Sequence, residues 1–239
     1  EMCIRDCSTA ALLWLLLEGR VPLIVAGPAP PLPRVSLARA LLSFQPAAEW
    51  TLIDAADRSL TTERLAALLR GGTHFGVAVA ADDLEGVFST LEASGLPLDG
   101  VRRLGVVLIA AETESGLRCT AVHYLRPAER DAEGHLQRRP PAVLAAWDPE
   151  VDGYEDYAWG ITPELAGRVD HSQANLEERR ASRAEFLGDL AFTGDQSDIE
   201  TRVQRYLERE PARISPTPRP PARPSPFHGG LLGPDDHRH

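Results

Sequence analysis

The sequence predicts an α/β protein in which helices flank a largely parallel sheet, with an added antiparallel β portion and a C-terminal helical region. Within the first 112 residues, four short apolar runs typical of buried strands alternate with four runs of helical periodicity. Such alternation favours parallel strands joined by helices. After residue 116, strand-like runs follow one another directly, which favours antiparallel pairing. Hydrophobic residues make up 43% of the 239 residues, enough to bury a core.

The first half of the chain contains the alternating segments. Four strands are predicted, at residues 21–27, 49–57, 73–82 and 101–112. Four helices are predicted, at residues 8–18, 36–44, 61–72 and 83–95. A hydroxyl side chain stands where it can cap each of the first three helices: Ser8 or Thr9, Ser36, and Thr61 or Thr62. A glycine stands where it can end three of them: Gly19, Gly71 and Gly95.

The second half changes character twice. Residues 116–129 and 139–150 are predicted to form antiparallel strands, with a turn at Asp131–Gly134, that extend the sheet or form a small appended one. Residues 162–210 alternate Glu and Arg at helical spacings. The tail is rich in Pro and Arg and is predicted to be disordered. The predicted division is therefore 1–115 for the α/β core, 116–160 for the antiparallel extension, 161–210 for the charged helices and 211–239 for the tail.

Charge and composition exclude several kinds of function. The formal net charge is −10, which disfavours a nucleic-acid partner. All 25 basic residues are arginine, so a Schiff-base lysine and a phosphate-loop lysine are both excluded. Three cysteines without a C-x-x-C pair are typical of a reducing compartment. The longest apolar run, residues 10–17, is too short to cross a bilayer. Together these features predict a cytoplasmic location.

The segment VAGPAPPLPRVSLARALLSF, residues 25–44, has the outline of a phosphate-binding loop. An apolar run ends at Gly27, and a strongly helical run begins near Val35. A phosphate loop would have the pattern G-x-x-x-x-G-K-[ST] between them. Here the segment has four prolines, no second glycine and no lysine. Each proline lacks an N–H group, so four potential donors to a phosphate are absent.

Several phrases along the chain occur in the order that a known family has. They are AALLWLLLEGR, PLIVAGP with LARALLSFQP, EWTLIDAADRSL, GTHFGVAVAADDLEGVFSTLE, VLAAWDPEVDGYEDY and SRAEFLGDL. In this order the chain resembles the motor ATPases of type II and type IV secretion, including those of archaeal pili and archaella. The resemblance covers roughly residues 8–210 and implies a RecA-like, P-loop-type sheet.

The departures from the family fall on its chemistry. Aligning the helix after the loop puts Arg34 at the lysine position, Pro33 at the second glycine and Val35 at the Ser or Thr that holds Mg²⁺. The glutamate of the acidic box falls on Ala55, and the histidine of the histidine box falls on Ala80. The segment between these two boxes is much shortened. The second Mg²⁺-associated motif and the domain that usually precedes the motor core have no counterpart in the sequence.

The resemblance implies a degenerate nucleotide site made of Gly27, Arg34, Ser36 and Asp54. Arg34 would replace the lysine, and Ser36 or Asp54 would support a metal. No catalytic residue and no dedicated metal ligand is assigned. No cofactor is expected, and ATP with Mg²⁺ would bind only if the divergent loop still holds a phosphate.

The absence of the family's lysine, magnesium ligand, glutamate and histidine predicts a pseudo-ATPase. Such a protein would be an inactive homologue that acts as a scaffold or regulatory subunit through protein–protein contacts. One alternative is a weak ATP-binding or ATP-hydrolysing secretion ATPase with a divergent phosphate loop. Another is an unrelated α/β binding domain, whose ligand site would lie near Gly27, Asp54, Asp57 and Asp82 at the carboxyl ends of the strands.

The partners implied by the resemblance are secretion or pilus-assembly proteins, including an active paralogous motor ATPase. The charged helices of residues 161–210 are one surface that would contact such a motor. No nucleic-acid partner is expected. Membrane association would be peripheral at most, at the inner face of the membrane.

Overall fold

A computed structural model describes residues 6–28, 32–45, 49–57, 60–71, 73–114, 116–130, 133, 135–193 and 199–210. Its α-helices are α1 (Cys7–Glu18), α2 (Leu32–Leu42), α3 (Thr62–Gly71), α4 (Leu84–Ala93), α5 (Leu98–Val101), α6 (Thr162–Arg168), α7 (Gln173–Thr193) and α8 (Ile199–Arg209). Its strands are β1 (Leu23–Gly27), β2 (Trp50–Asp54), β3 (His74–Ala80), β4 (Val106–Thr113), β5 (Gly116–Tyr124), β6 (Glu129–Arg130), β7 (Leu136–Gln137), β8 (Ala142–Asp148) and β9 (Gly153–Asp156). The α/β class predicted from the sequence is confirmed.

The main sheet has seven strands in the order β2-β3-β1-β4-β5-β8-β9. The pairs β2–β3, β3–β1 and β1–β4 are parallel, as the alternation of strands and helices predicts. The pairs β4–β5, β5–β8 and β8–β9 are antiparallel. The antiparallel strands therefore extend the parallel sheet, one of the two arrangements left open by the sequence. Strands β6 and β7 form a separate two-stranded ribbon.

The sheet is buried on both faces because helices cover each one. All five residues of β1 are buried, and their side chains alternate between two cores. Leu23 and Val25 pack in one core with residues of α1, α2 and α7. Ile24 and Ala26 pack in the other with residues of α3, α4 and α5. Strands covered on both faces are expected to be apolar throughout, which is why β1 is evident in the sequence.

Helix α1 forms a layer between the sheet and the C-terminal helices. Nine of its residues are buried, and a helix that is apolar all round needs such cover. Trp14 lies at its centre, with ring centroids 5.2 Å from Phe44, 6.0 Å from Phe186 and 5.5 Å from Tyr206. The aromatic contacts join α1 to both α7 and α8. None of the helices in the described part of the chain has the length and hydropathy to cross a bilayer.

A network of buried charges holds α7 and α8 on α1. Arg183 is 0% exposed, and its guanidinium carbon lies 4.3 Å from the centroid of the Trp14 ring. Its Nη2 pairs with Glu18 of α1 and with Glu210 after α8. Arg179 pairs with the same two carboxylates at 2.8 Å and 2.9 Å. Two arginines and two glutamates therefore balance in charge, as groups removed from water must.

His171 adds an uncharged member to this network. Arg179 Nη1 lies 2.6 Å from His171 Nε2. Because arginine can only donate, Nε2 accepts and the ring is neutral. Burial lowers the pKa of His171, and the positive charge of Arg179 lowers it further. Burial raises the pKa of Glu210, but hydrogen bonds from Arg183 and Arg179 outweigh that effect and leave the pKa lowered.

Several element boundaries predicted from the sequence are wrong. The side chain of Asp6, not Ser8 or Thr9, caps α1 by accepting from the backbone N–H groups of both. Helix α2 begins at Leu32, so Ser36 lies in its second turn and does not cap it. Pro33 is tolerated in the first turn of α2 because N–H groups in the first turn have no hydrogen-bond partner within the helix. Residues 131, 132 and 134 of the predicted turn and the predicted tail at 211–239 lie outside the described residues.

The contact between α1 and the turn after α6 gives a stability prediction. A Cβ atom at Gly19 would lie 2.3 Å from Val169 Cγ1 and 2.7 Å from Val169 Cβ. Gly19→Ala should therefore lower the free energy of unfolding by about 1–3 kcal/mol. Gly188→Ala is the matched control, because nothing lies within 4 Å of a Cβ there and the residue is inside α7. It should raise the free energy by about 0.5–1 kcal/mol. Urea unfolding of both variants measures this, and a loss at Gly188→Ala equal to that at Gly19→Ala would contradict the packing.

Candidate functional site

The candidate site lies at the carboxyl edge of the parallel strands, where β1 ends at Gly27. Helix α2 follows β1 and packs in the core that contains α1. Helix α4 follows the neighbouring strand β3 and packs in the core on the opposite face. Open α/β sheets bind ligands where adjacent strands lead to helices on opposite faces. The loop between β1 and α2 therefore occupies the position where a ligand site is expected.

Gly27 is tightly enclosed by protein atoms. Its carbonyl accepts a hydrogen bond from the N–H group of Ala81, at 3.3 Å. A Cβ atom at Gly27 would lie 3.3 Å from the carbonyl oxygen of Ala110 and 3.6 Å from Arg34 Cβ. The close approach of β4 and α2 therefore explains the glycine without a bound phosphate.

Arg34 points back into the protein from the first turns of α2. The residue is 3% exposed. Its Nη1 donates to the carbonyl oxygen of Pro28, at 3.2 Å, and its Nη2 lies 3.8 Å from Asp54 Oδ1. Among the residues that the structure describes, Arg34 Nε has no hydrogen-bond partner. The guanidinium is therefore held by its own chain, by the loop on one side and the end of β2 on the other.

Asp54 is the acidic partner at this edge of the sheet. It ends β2, and its side chain is partly buried. Besides facing Arg34, its Oδ1 accepts a hydrogen bond from the backbone N–H of Ala56, at 3.0 Å. That bond fixes the tight turn that follows β2. Asp54 is thus oriented by the turn and directed at Arg34 from across the edge of the sheet.

The structure brings together three of the four site residues proposed from the sequence. Arg34 lies next to both Gly27 and Asp54, but Ser36 is exposed on α2. Residues two apart on a helix project on nearly opposite sides, so Ser36 points away from Arg34. Of the two residues that the resemblance pairs with a glutamate and a histidine, Ala55 is buried in a turn and Ala80 is exposed at the end of β3.

Other acidic residues near this edge take different roles. Asp82 is exposed. Asp83 caps α4, accepting from the N–H of Gly86 at 2.7 Å. The side chain of Asp57 lies outside the described residues. Among the described residues, no three His, Cys, Asp or Glu side chains are grouped so as to hold a metal ion.

The chemistry available at Arg34 is that of an internally paired cation. An arginine does not deprotonate in proteins, so it supplies no general base. Asp54 carries a negative charge that would repel a phosphate beside it. The arrangement can stabilise the loop and the end of β2, and its cation is engaged by groups of the same chain.

No protein-family model matches the chain, and no curated protein matches it either.

Sequence reasoning missed two groups of arginines that the structure brings together. Alternating Glu and Arg at helical spacings is typical of a solvated helix surface, yet Arg179 and Arg183 are both buried. The sequence does contain one indication of this burial: the two arginines are four residues apart, which places both on one side of α7. The second group, around Arg20, lies at the amino edge of the sheet and comes from four separate segments. No local pattern in the sequence brings those segments together.

The pairing of Arg34 with Asp54 gives a second stability prediction. Asp54→Asn keeps an acceptor for the N–H of Ala56 but leaves the buried guanidinium without its counter-charge. We expect it to lower the free energy of unfolding by about 1–2 kcal/mol. Asp83→Asn is the matched control, because asparagine caps helices as well as aspartate does and the change should stay within about 0.5 kcal/mol. Chemical denaturation measures both, and equal losses in the two variants would contradict the pairing.

Proposed function

We propose that this protein is a catalytically inactive homologue of the secretion and pilus motor ATPases, acting as a scaffold or regulatory subunit through protein–protein contacts. The observation that carries the proposal is the orientation of Arg34, the residue aligned with the family's phosphate-loop lysine. It is buried and held by Pro28 and Asp54. The proposal rests on the order of phrases in the sequence together with this geometry.

Binding a phosphate at this loop would require Arg34 to abandon its internal partners. The carboxylate of Asp54 would then lie beside the phosphate, and the two negative charges would repel each other. Pro28 and Pro33 supply no N–H donors. Phosphoryl transfer depends on positioned donors, a cation and Mg²⁺ ligands, so the loss of several at once argues against turnover.

The pairing of β2 with β3 also supports the proposal. These strands carry the counterparts of the acidic box and of the histidine box. They pair directly with each other in parallel, and α3 lies within residues 55–73, which connect them. The shortened segment between the two boxes is consistent with this direct pairing. A chain that had lost the intervening Mg²⁺-associated strand would have this arrangement.

The structure changes which surface we propose for the partner. Arg179, Arg180 and Arg183 of α7 pair with carboxylates of this same chain. They are therefore committed internally and are poor candidates for contacts with a motor. Trp159, in contrast, is 76% exposed, beside the half-exposed Tyr157. Binding hot spots in protein interfaces are enriched in tryptophan and tyrosine. We propose that Trp159 lies at the partner contact.

Replacement of Trp159 tests the proposed contact. The chain would be co-expressed with each motor ATPase and platform protein of the secretion and pilus systems encoded in the same genome, and complexes would be measured by native mass spectrometry. Trp159→Ala should weaken the complex at least tenfold, since hot-spot truncation costs about 2 kcal/mol or more. Trp50→Ala is the matched control, at a tryptophan that is 37% exposed on the edge strand β2, and should bind as the wild type does.

Two results would contradict the proposal. If no protein of these systems binds the wild-type chain, the scaffold function is wrong. If Trp50→Ala and Trp159→Ala weaken a complex equally, the contact is not at Trp159.

A further inference from the structure

An open cavity lies at the amino edge of the sheet, opposite the edge that carries Arg34. Its volume is about 450 Å³, within the usual range of small-molecule sites. Four arginines from separate segments line it: Arg20 after α1, Arg70 at the end of α3, Arg103 before β4 and Arg168 at the end of α6. Leu68, Leu69, Phe75 and Pro127 supply an apolar wall, together with Gly19 and Thr73.

Positive charge dominates this cavity although the whole chain carries a net charge of −10. In the part of the chain that the structure describes, no carboxylate lines it. Among the described residues, none of the four guanidinium groups has a carboxylate within 4.0 Å, although Arg168 hydrogen-bonds the Tyr124 hydroxyl. The ends of α1, α3 and α6 also converge here, and each helix C-terminus contributes about half a negative charge. Four full positive charges exceed this contribution, so offsetting the helix dipoles does not account for the cluster.

Arg20 occupies a backbone position that favours glycine. Its φ is 59°, in the left-handed region that side chains other than Gly, Asn and Asp adopt at a cost. The N–H of Arg20 bonds to the carbonyl of Leu17, and that of Val21 bonds to the carbonyl of Leu16. This is the Schellman end of a helix, where glycine is usual at the left-handed residue. An arginine at this position lowers the stability relative to glycine and places a positive charge beside the cavity. Such local departures from the most stable residue are frequent at functional sites.

We propose that this cavity binds a small, multiply charged phosphate compound. Guanidinium groups form paired hydrogen bonds to phosphate oxygens, and a phosphate has oxygens facing several directions. Four arginines arriving from four segments match such a ligand better than a single planar carboxylate, which one arginine can satisfy. The apolar wall has room for an uncharged portion of the same molecule. The site does not depend on the proposed scaffold function.

Calorimetric titration with sodium tripolyphosphate tests the site, using the full chain in 150 mM NaCl without Mg²⁺. We expect one tripolyphosphate per chain. Arg20→Gly and Arg103→Gln should each weaken binding at least tenfold, because each removes a charged donor. Arg205→Gln is the matched control, at an exposed arginine of α8 away from the cavity, and should leave binding unchanged. Citrate, which carries carboxylates instead of phosphates, should bind at least tenfold more weakly.

Arg20→Gly also separates a binding role from a structural one. Glycine suits the left-handed position, so the melting temperature of this variant should equal or exceed that of the wild type while its affinity falls. A residue with only a structural role would not lose affinity while keeping stability. Arg20→Gly leaves the pairing of Arg34 with Asp54 in place, so a negative result here does not bear on the scaffold proposal.

A crystal soaked in tungstate, a heavy analogue of phosphate, locates the anion directly. Anomalous density should lie among the guanidinium groups of Arg20, Arg70, Arg103 and Arg168. The proposal is overturned if the density lies elsewhere, if no tripolyphosphate binds, or if citrate binds as tightly. It is also overturned if Arg205→Gln weakens binding as much as Arg20→Gly does.

Discussion

The buried pairing of Arg179 and Arg183 with Glu18 and Glu210 is the interaction on which the arrangement of the helices depends. It joins α1 to α7 and to the end of α8; the side chains of both arginines and of Glu210 are largely buried, while that of Glu18 is 34% exposed. Removing one partner of such a network leaves an uncompensated buried charge, which is strongly destabilising. The sequence did not predict it, because Glu18 lies 161 residues from Arg179 and an alternating Glu and Arg pattern usually indicates a solvated helix.

Arg34 follows the same principle at the carboxyl edge of the sheet. A guanidinium removed from water needs partners within the protein: Arg34 donates a hydrogen bond to the carbonyl of Pro28 and lies 3.8 Å from the carboxylate of Asp54. A phosphate at this loop would have to compete with both of these partners for the Arg34 guanidinium. The account of function depends on this point, because the sheet and loop have the position of a ligand site while the cation in it is already paired.

Much of the parallel sheet could be predicted from the sequence, because strands covered by helices on both faces are continuous apolar runs such as residues 23–27. The start of α2 could not be predicted. The prolines around it indicate a loop, although proline fits the first turn of a helix equally well. At the site, resemblance and spacing located Gly27, Arg34 and Asp54. The inward direction of Arg34 could not be predicted, because it depends on an aspartate that lies twenty residues further along the chain, on a different strand.

Calorimetric titration with ATP and Mg²⁺, on the wild type and on Arg34→Ala, tests whether the loop after β1 can hold a nucleotide. Because the guanidinium of Arg34 is already engaged by Pro28 and Asp54, we expect Arg34→Ala and the wild type to give the same titration with ATP. ATP binding that persists in Arg34→Ala but is lost in Arg20→Gly would belong to the cavity at the opposite edge. Saturable binding that Arg34→Ala abolishes, followed by measurable hydrolysis in the wild type, would contradict the account and favour a secretion ATPase with a divergent phosphate loop.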